Sequence, residues 1–117
     1  FSVWALSLVL ERIVGEGGLG AVADRNRRKA AAVYQAIDDS DGFYRCPVDP
    51  DYRSDMNVVF RLPDEEREKA FVAQAAERGM IGLKGHRSVG GIRASIYNAM
   101  PESGVEKLVA FMRDFRA

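Results

Sequence analysis

The sequence predicts an α+β fold, a small and mainly antiparallel sheet with helices packed on one face. Three observations predict it. Apolar residues recur at helical spacing in four stretches: near the N-terminus, over about Leu19 to Ile37, after Asp64 and after Pro101. Short strand-like runs, Phe43–Cys46, Met56–Leu62, Met80–Leu83 and Gly91–Tyr97, lie between the later helices. There is no internal repeat and no low-complexity linker. The order is helix, helix, strand, strand, helix, strand, strand, helix, within the 117 residues of a single domain.

In the first helix Val3, Leu6, Val9, Leu10, Ile13 and Val14 recur at helical spacing, and Trp4, Ala5 and Leu8 widen the apolar arc beyond one face. A helix apolar on nearly all sides is normally covered on all sides. One small domain cannot cover it, so it is expected to pack against a further domain or a second subunit. The chain enters this run directly from Phe1 and reads as a fragment or processed domain of something longer. Gly15-Glu16-Gly17-Gly18-Leu19-Gly20 matches G-x-G-x-x-G in form, but a helical pattern precedes it where a dinucleotide loop needs a strand. These glycines read as a helix C-terminal cap and turn.

The second helix takes Leu19, Val22, Ala30, Val33, Tyr34 and Ile37 as its buried stripe. Arg25, Arg27, Arg28 and Lys29 read as a solvated face, with Asp24 and Arg28 spaced to pair. Asp38–Gly42 is a polar turn, and Pro47 stops the strand Phe43–Cys46. In Met56–Leu62, Val58 and Phe60 face one side and Asn57, Val59 and Arg61 the other. Asp64-Glu65-Glu66 places negative charge at the start of the third helix, which Phe71, Val72 and Ala75 anchor and Arg78-Gly79 closes. Ile92, Ala94 and Ile96 face the core while Arg93, Ser95 and Tyr97 face away. Pro101 opens the last helix, Ser103 and Glu106 have capping-box spacing, and Val105, Leu108, Val109, Met112 and Phe115 carry its core stripe.

Seventeen basic and seventeen acidic side chains cancel, so no broad field favours nucleic acid or an anionic membrane. Anion binding must come from local placement. The apolar N-terminal run is too interrupted to span a membrane and lacks the basic leader of a signal peptide. A single cysteine, Cys46, excludes an intramolecular disulfide, fits a reducing cytosol and reads as a small semi-buried residue. No His, Cys or carboxylate cluster has metal-ligand spacing. Ser88 and Ser95 lack a neighbouring base for nucleophilic chemistry.

The stretch with chemical character is Gly85-His86-Arg87-Ser88-Val89-Gly90-Gly91-Ile92-Arg93-Ala94-Ser95-Ile96-Tyr97-Asn98-Ala99. It holds the only histidine, two arginines and a glycine pair ahead of an alternating run. His86 and Arg87 fall on a loop and Arg93 on the strand that leaves it. Such donors recognise carboxylates and phosphates, arginine with a two-pronged fork. This stretch resembles the C-terminal motif of the phosphoserine aminotransferase family. Leu8-Val9-Leu10 before Gly17-Gly18-Leu19 is similar to that family's interdomain helix and turn. Gly42-Phe43-Tyr44-Arg45-Cys46-Pro47-Val48 and Arg53-Ser54-Asp55-Met56-Asn57-Val58 are similar to its small-domain strands.

The resemblance implies the small domain of a class V, fold-type I aminotransferase. Residues 1–18 would be the interdomain helix and turn and residues 19–117 the C-terminal substrate-recognition domain. It implies transfer of an amino group between glutamate and phosphohydroxypyruvate, giving 2-oxoglutarate and phosphoserine, in serine and, in many bacteria, pyridoxine synthesis. It implies pyridoxal phosphate in the parent enzyme and a cytoplasmic homodimer. His86 and Arg87 would contact the substrate phosphate and Arg93 its α-carboxylate. The cofactor domain's Schiff-base lysine has no match: Lys29, Lys69 and Lys107 are expected on helix surfaces, and Lys84 stands beside the motif. The chain alone is then expected neither to hold the cofactor covalently nor to transaminate, and it contributes no catalytic residue. Two other readings stay open: a stand-alone regulatory module for a small acidic ligand, and a dimerisation domain whose first helix pairs with its own copy.

Overall fold

A computed structural model describes residues 1–117. Helix α1 spans Ser2–Gly15 and α2 spans Gly18–Asp38; a single 3₁₀ turn covers Pro50–Tyr52. Strand β1 is Asn57–Phe60, α3 is Glu65–Glu77, β2 is Ile92–Ser95 and α4 is Glu102–Arg116. The fold is α+β, with one antiparallel β1–β2 ribbon whose register pairs Asn57 with Ser95, Val58 with Ala94, Val59 with Arg93 and Phe60 with Ile92.

Alternation sorts this ribbon into two faces. Val58, Phe60, Ile92 and Ala94 are buried beneath the helices, whereas Asn57, Val59, Arg93 and Ser95 are only half-buried on the other side. The core beneath is aromatic. Phe71 of α3 packs edge-on against Phe60 at 5.7 Å and against Tyr44 at 6.0 Å, and meets Phe111 of α4 at 4.8 Å. Tyr44 donates its hydroxyl proton to the Met112 carbonyl at 2.8 Å, so its polar tip is satisfied in the interior. Burial pushes the phenol's pKa well above the ordinary tyrosine value.

The G-x-G-x-x-G segment is a helix end and turn. Glu16 caps α1, and Gly17 takes φ 103° before α2 begins. Helix α1 has no buried residue. Phe1, Val3, Trp4, Leu6, Val9 and Val14 are each more than half exposed, so the all-round apolar helix expected from the sequence stands uncovered in this chain. No helix is long and apolar enough to cross a membrane.

Several expectations are corrected. The sheet has two strands where four were expected. Phe43–Cys46 forms only one bridge, Arg45 with Arg61, because Pro47 cannot donate to extend a ladder. Met80–Leu83 forms no strand: Gly82 sits at φ +77°, Ile81 turns out to solvent, and pairing begins only at Lys84 opposite Ile92. The capping box at Ser103 is absent, since α4 starts at Glu102 with Pro101 as the cap residue, which puts Ser103 inside the helix. Asp24 pairs with Arg27 at 2.6 Å, and Arg28 reaches Glu102 at 2.9 Å instead. Leu19 lies exposed at the start of α2, before that helix meets the core. Lys29, expected on the solvated face, is 1% exposed.

Candidate functional site

The open face of the ribbon and the loop that feeds β2 carry the candidate site. That loop is closed at its base, where Gly85 N–H donates to Gly91 O at 2.8 Å and Arg93 N–H to Leu83 O at 2.8 Å. Within it, the N–H groups of Val89 and Gly90 converge on His86 O at 2.9 and 2.7 Å. Gly90 and Gly91 take φ of +76° and +73°. A Cβ on Gly91 would lie 2.5 Å from Arg61 Cδ and 2.9 Å from the Phe60 carbonyl, so only glycine lets the turn close against β1.

His86 lies exposed at the loop tip. Its Nδ1 accepts from Ser88 N–H at 3.2 Å and sits 2.6 Å from Ser88 Oγ. Donors gathered on Nδ1 place the ring proton on Nε2, which is left to donate outward. Arg87 is exposed beside it and makes no ion pair. Arg93, on β2 opposite Val59, is half-buried. Its guanidinium also joins no ion pair, and its Nε is buried without a hydrogen-bond partner. The three cationic or donor side chains read from the sequence thus belong to one closed hairpin, and none is spent on an internal carboxylate. A planar donor already half-desolvated and unpaired is suited to a carboxylate.

Two supporting groups escaped the sequence reading. Arg61, just after β1, gives its Nε to Glu68 at 2.7 Å and its Nη1 to the Val89 carbonyl at 3.1 Å. Glu68 is itself buried and also accepts from Leu62 N–H at 3.3 Å. Arg61 therefore ties the loop carrying His86 and Arg87 to α3. No local pattern signals this contact. The other group is Lys29, whose Nζ donates to the carbonyls of Ile96 at 3.0 Å, Tyr97 at 2.7 Å and Met100 at 2.9 Å, just beyond β2. Burial, with Arg25 adding to it, moves this ammonium's pKa below the ordinary lysine value, and Glu102 works the other way. Here a signal existed: Val22, Asn26, Lys29 and Val33 fall at helical spacing on the buried stripe.

Residues 1–108 match the family model described as aminotransferase class-V. The chain belongs to this family. It is 56% identical over 117 residues to phosphoserine aminotransferase 1, chloroplastic, of Arabidopsis thaliana, covering all of this chain and 27% of that one. It is 58% identical over 117 residues to phosphoserine aminotransferase of Herpetosiphon aurantiacus, again covering all of this chain and 32% of the relative. Among solved structures, phosphoserine aminotransferase from Bacillus circulans subsp. alkalophilus superposes with a TM-score of 0.91 at 57% identity, over 92% of this chain and 30% of the other. The PLP-bound phosphoserine aminotransferase of Trichomonas vaginalis superposes with a TM-score of 0.82 at 40% identity, over 88% of this chain and 30% of the other. The class-V chain thus spans under a third of the length of these relatives.

Two of the class-V chain's four lysines are spent on backbone carbonyls and so do not fit as a covalent anchor for pyridoxal phosphate. The ammonium of Lys29 is taken up by three carbonyls, and Lys107 Nζ is bound to Arg78 O at 2.5 Å. Lys69 and Lys84 are exposed. A cavity of about 250 Å³ is lined mainly by apolar side chains such as Met80, Leu83, Ile96 and Leu108, with Lys107 as its one cation. No group of three His, Cys, Asp or Glu side chains is placed to hold a metal ion.

Proposed function

We propose that this chain is the substrate-recognition part of a phosphoserine aminotransferase, acting in serine synthesis. In this reading residues 1–18 are the interdomain helix and turn and residues 19–117 the C-terminal small domain. The reaction moves an amino group between glutamate and phosphohydroxypyruvate. Arg93 clamps the substrate α-carboxylate; His86 and Arg87 meet the phosphate or, when glutamate is bound, its side-chain carboxylate. The observation that carries the reading is the Arg93 guanidinium, fixed on a strand, half-buried and without an internal acid. In this reading pyridoxal phosphate supplies the electron sink for this class of chemistry and is held by a cofactor domain outside residues 1–117. What these residues contribute is position and charge neutralisation. Cations held by a ribbon and a closed loop lose little freedom when an anion arrives. The uncovered apolar surface of α1 suits burial against that cofactor portion and within a cytoplasmic homodimer. A role in pyridoxine synthesis belongs to the same proposal.

The test is Arg93→Ala in a full-length aminotransferase carrying this segment. Its kcat/KM should fall by about a hundredfold, corresponding to one lost charge-assisted contact in the transition state. An unchanged kcat/KM removes Arg93 from the substrate and the reading with it.

A further inference from the structure

We infer that Lys29 is a positioning residue for the Arg93 strand, a tethered cation that gathers the carbonyls of Ile96, Tyr97 and Met100 and so sets where β2 ends. The inference rests on the assignment of Arg93 to the substrate carboxylate.

The geometry is that of a small cation site filled by a side chain. Lys29 is 1% exposed, and its three ammonium protons meet three carbonyl oxygens, at 2.7 to 3.0 Å. No carboxylate hydrogen-bonds to Lys29: the charged groups facing it are Arg25 of α2 and Glu102 of α4, and Glu102 is already paired with Arg28 at 2.9 Å. A buried ammonium without a counter-ion is a costly way to fill a core. What the ammonium does that an apolar side chain cannot is draw the carbonyls of Ile96, Tyr97 and Met100 toward one point. Ile96 is consequently held on both sides, its N–H on Met56 O at 2.9 Å and its carbonyl on Lys29 at 3.0 Å. Asn26, one helical turn earlier, adds a tie from its amide to Asn98 Oδ1 at 2.7 Å. Arg93 lies on β2 three residues before Ile96, which directly follows that short strand, so a shift of this exit moves the guanidinium against the loop carrying His86 and Arg87.

The experiment uses a full-length aminotransferase carrying this segment. Lys29→Ala should raise KM for amino and oxo substrates about tenfold while kcat stays within about threefold, because binding geometry and not the chemical step is disturbed. Hydrogen exchange at the amides of residues 96–100 should quicken, and added ethylammonium, which refills the carbonyl site, should lower KM again. Unchanged exchange overturns the clamp itself. Faster exchange with unchanged KM overturns the positioning role. Should Lys29→Ala fail to fold even with ethylammonium, Asn26→Ala carries the same test with a smaller rise in KM, and no rise overturns the proposal. Arg93→Ala, measured alongside, separates the two ideas: an unaffected KM there, with quickened exchange in Lys29→Ala, removes the assignment of Arg93 and leaves the clamp standing.

Discussion

The two ends of β2 are both held by a cation that donates to backbone carbonyl oxygen, one carbonyl at the entry and three at the exit. At the entry, Arg61 reaches Val89 O from the surface, is neutralised by Glu68 and leaves His86 and Arg87 unengaged. At the exit, Lys29 is buried, takes three carbonyls and has no acid in contact. A solvated, paired clamp contributes little and can yield; a desolvated, unpaired one costs more to assemble and leaves its loop no alternative. The ribbon is thus set from its exit, and its entry keeps free the groups an anion would meet.

That contrast yields graded predictions. Lys29→Met strands three carbonyls beneath α2 and should cost about 3 kcal/mol in urea unfolding; a loss near that of Arg61→Ala would erase the contrast. Gly91→Ala comes next, at about 2 kcal/mol, from a forced left-handed φ and a collision with Arg61 and the Phe60 carbonyl. Arg61→Ala should cost about 1 kcal/mol, with faster amide exchange confined to the 85–91 loop. If exchange spread instead to residues 96–100, the two clamps would be one unit. The smallest effect is in pH. Arg28 at the exit, through its hydrogen bond, holds the Glu102 carboxyl below its ordinary value of 4.5. A carboxylate whose folded pKa is lowered stabilises the fold fully above that ordinary value, and the contribution fades as pH falls through the lowered one. Melting temperature should therefore drop on acidification below about pH 4.5, and Glu102→Gln should flatten part of that drop.

Much of this was legible in the residues, and the exceptions share a cause. The faces of both strands followed from alternation at Val58, Phe60, Ile92 and Ala94, and the helix-end reading of Gly15–Gly20 followed from the pattern preceding it. The hairpin of His86, Arg87 and Arg93 was legible because glycine pairs and alternation are local signals. Lys29 was misread because its charge outweighed its place on the helical stripe. A lysine is almost never buried without partners, and carbonyls 67 to 71 residues away leave no trace in the local sequence. The Arg61–Val89 contact is hidden for the same reason. The two missing strands were over-read because short apolar runs lack any mark of whether a neighbour lies within reach.

One consequence follows from the bareness of α1. The chain's single indole, Trp4, sits on the one long helix that contributes nothing to the interior, 61% exposed. Its emission reports the polarity around that helix and is nearly blind to the folding of everything else. A blue shift on raising the protein concentration or on adding a partner would report the covering of α1 directly, without an added dye.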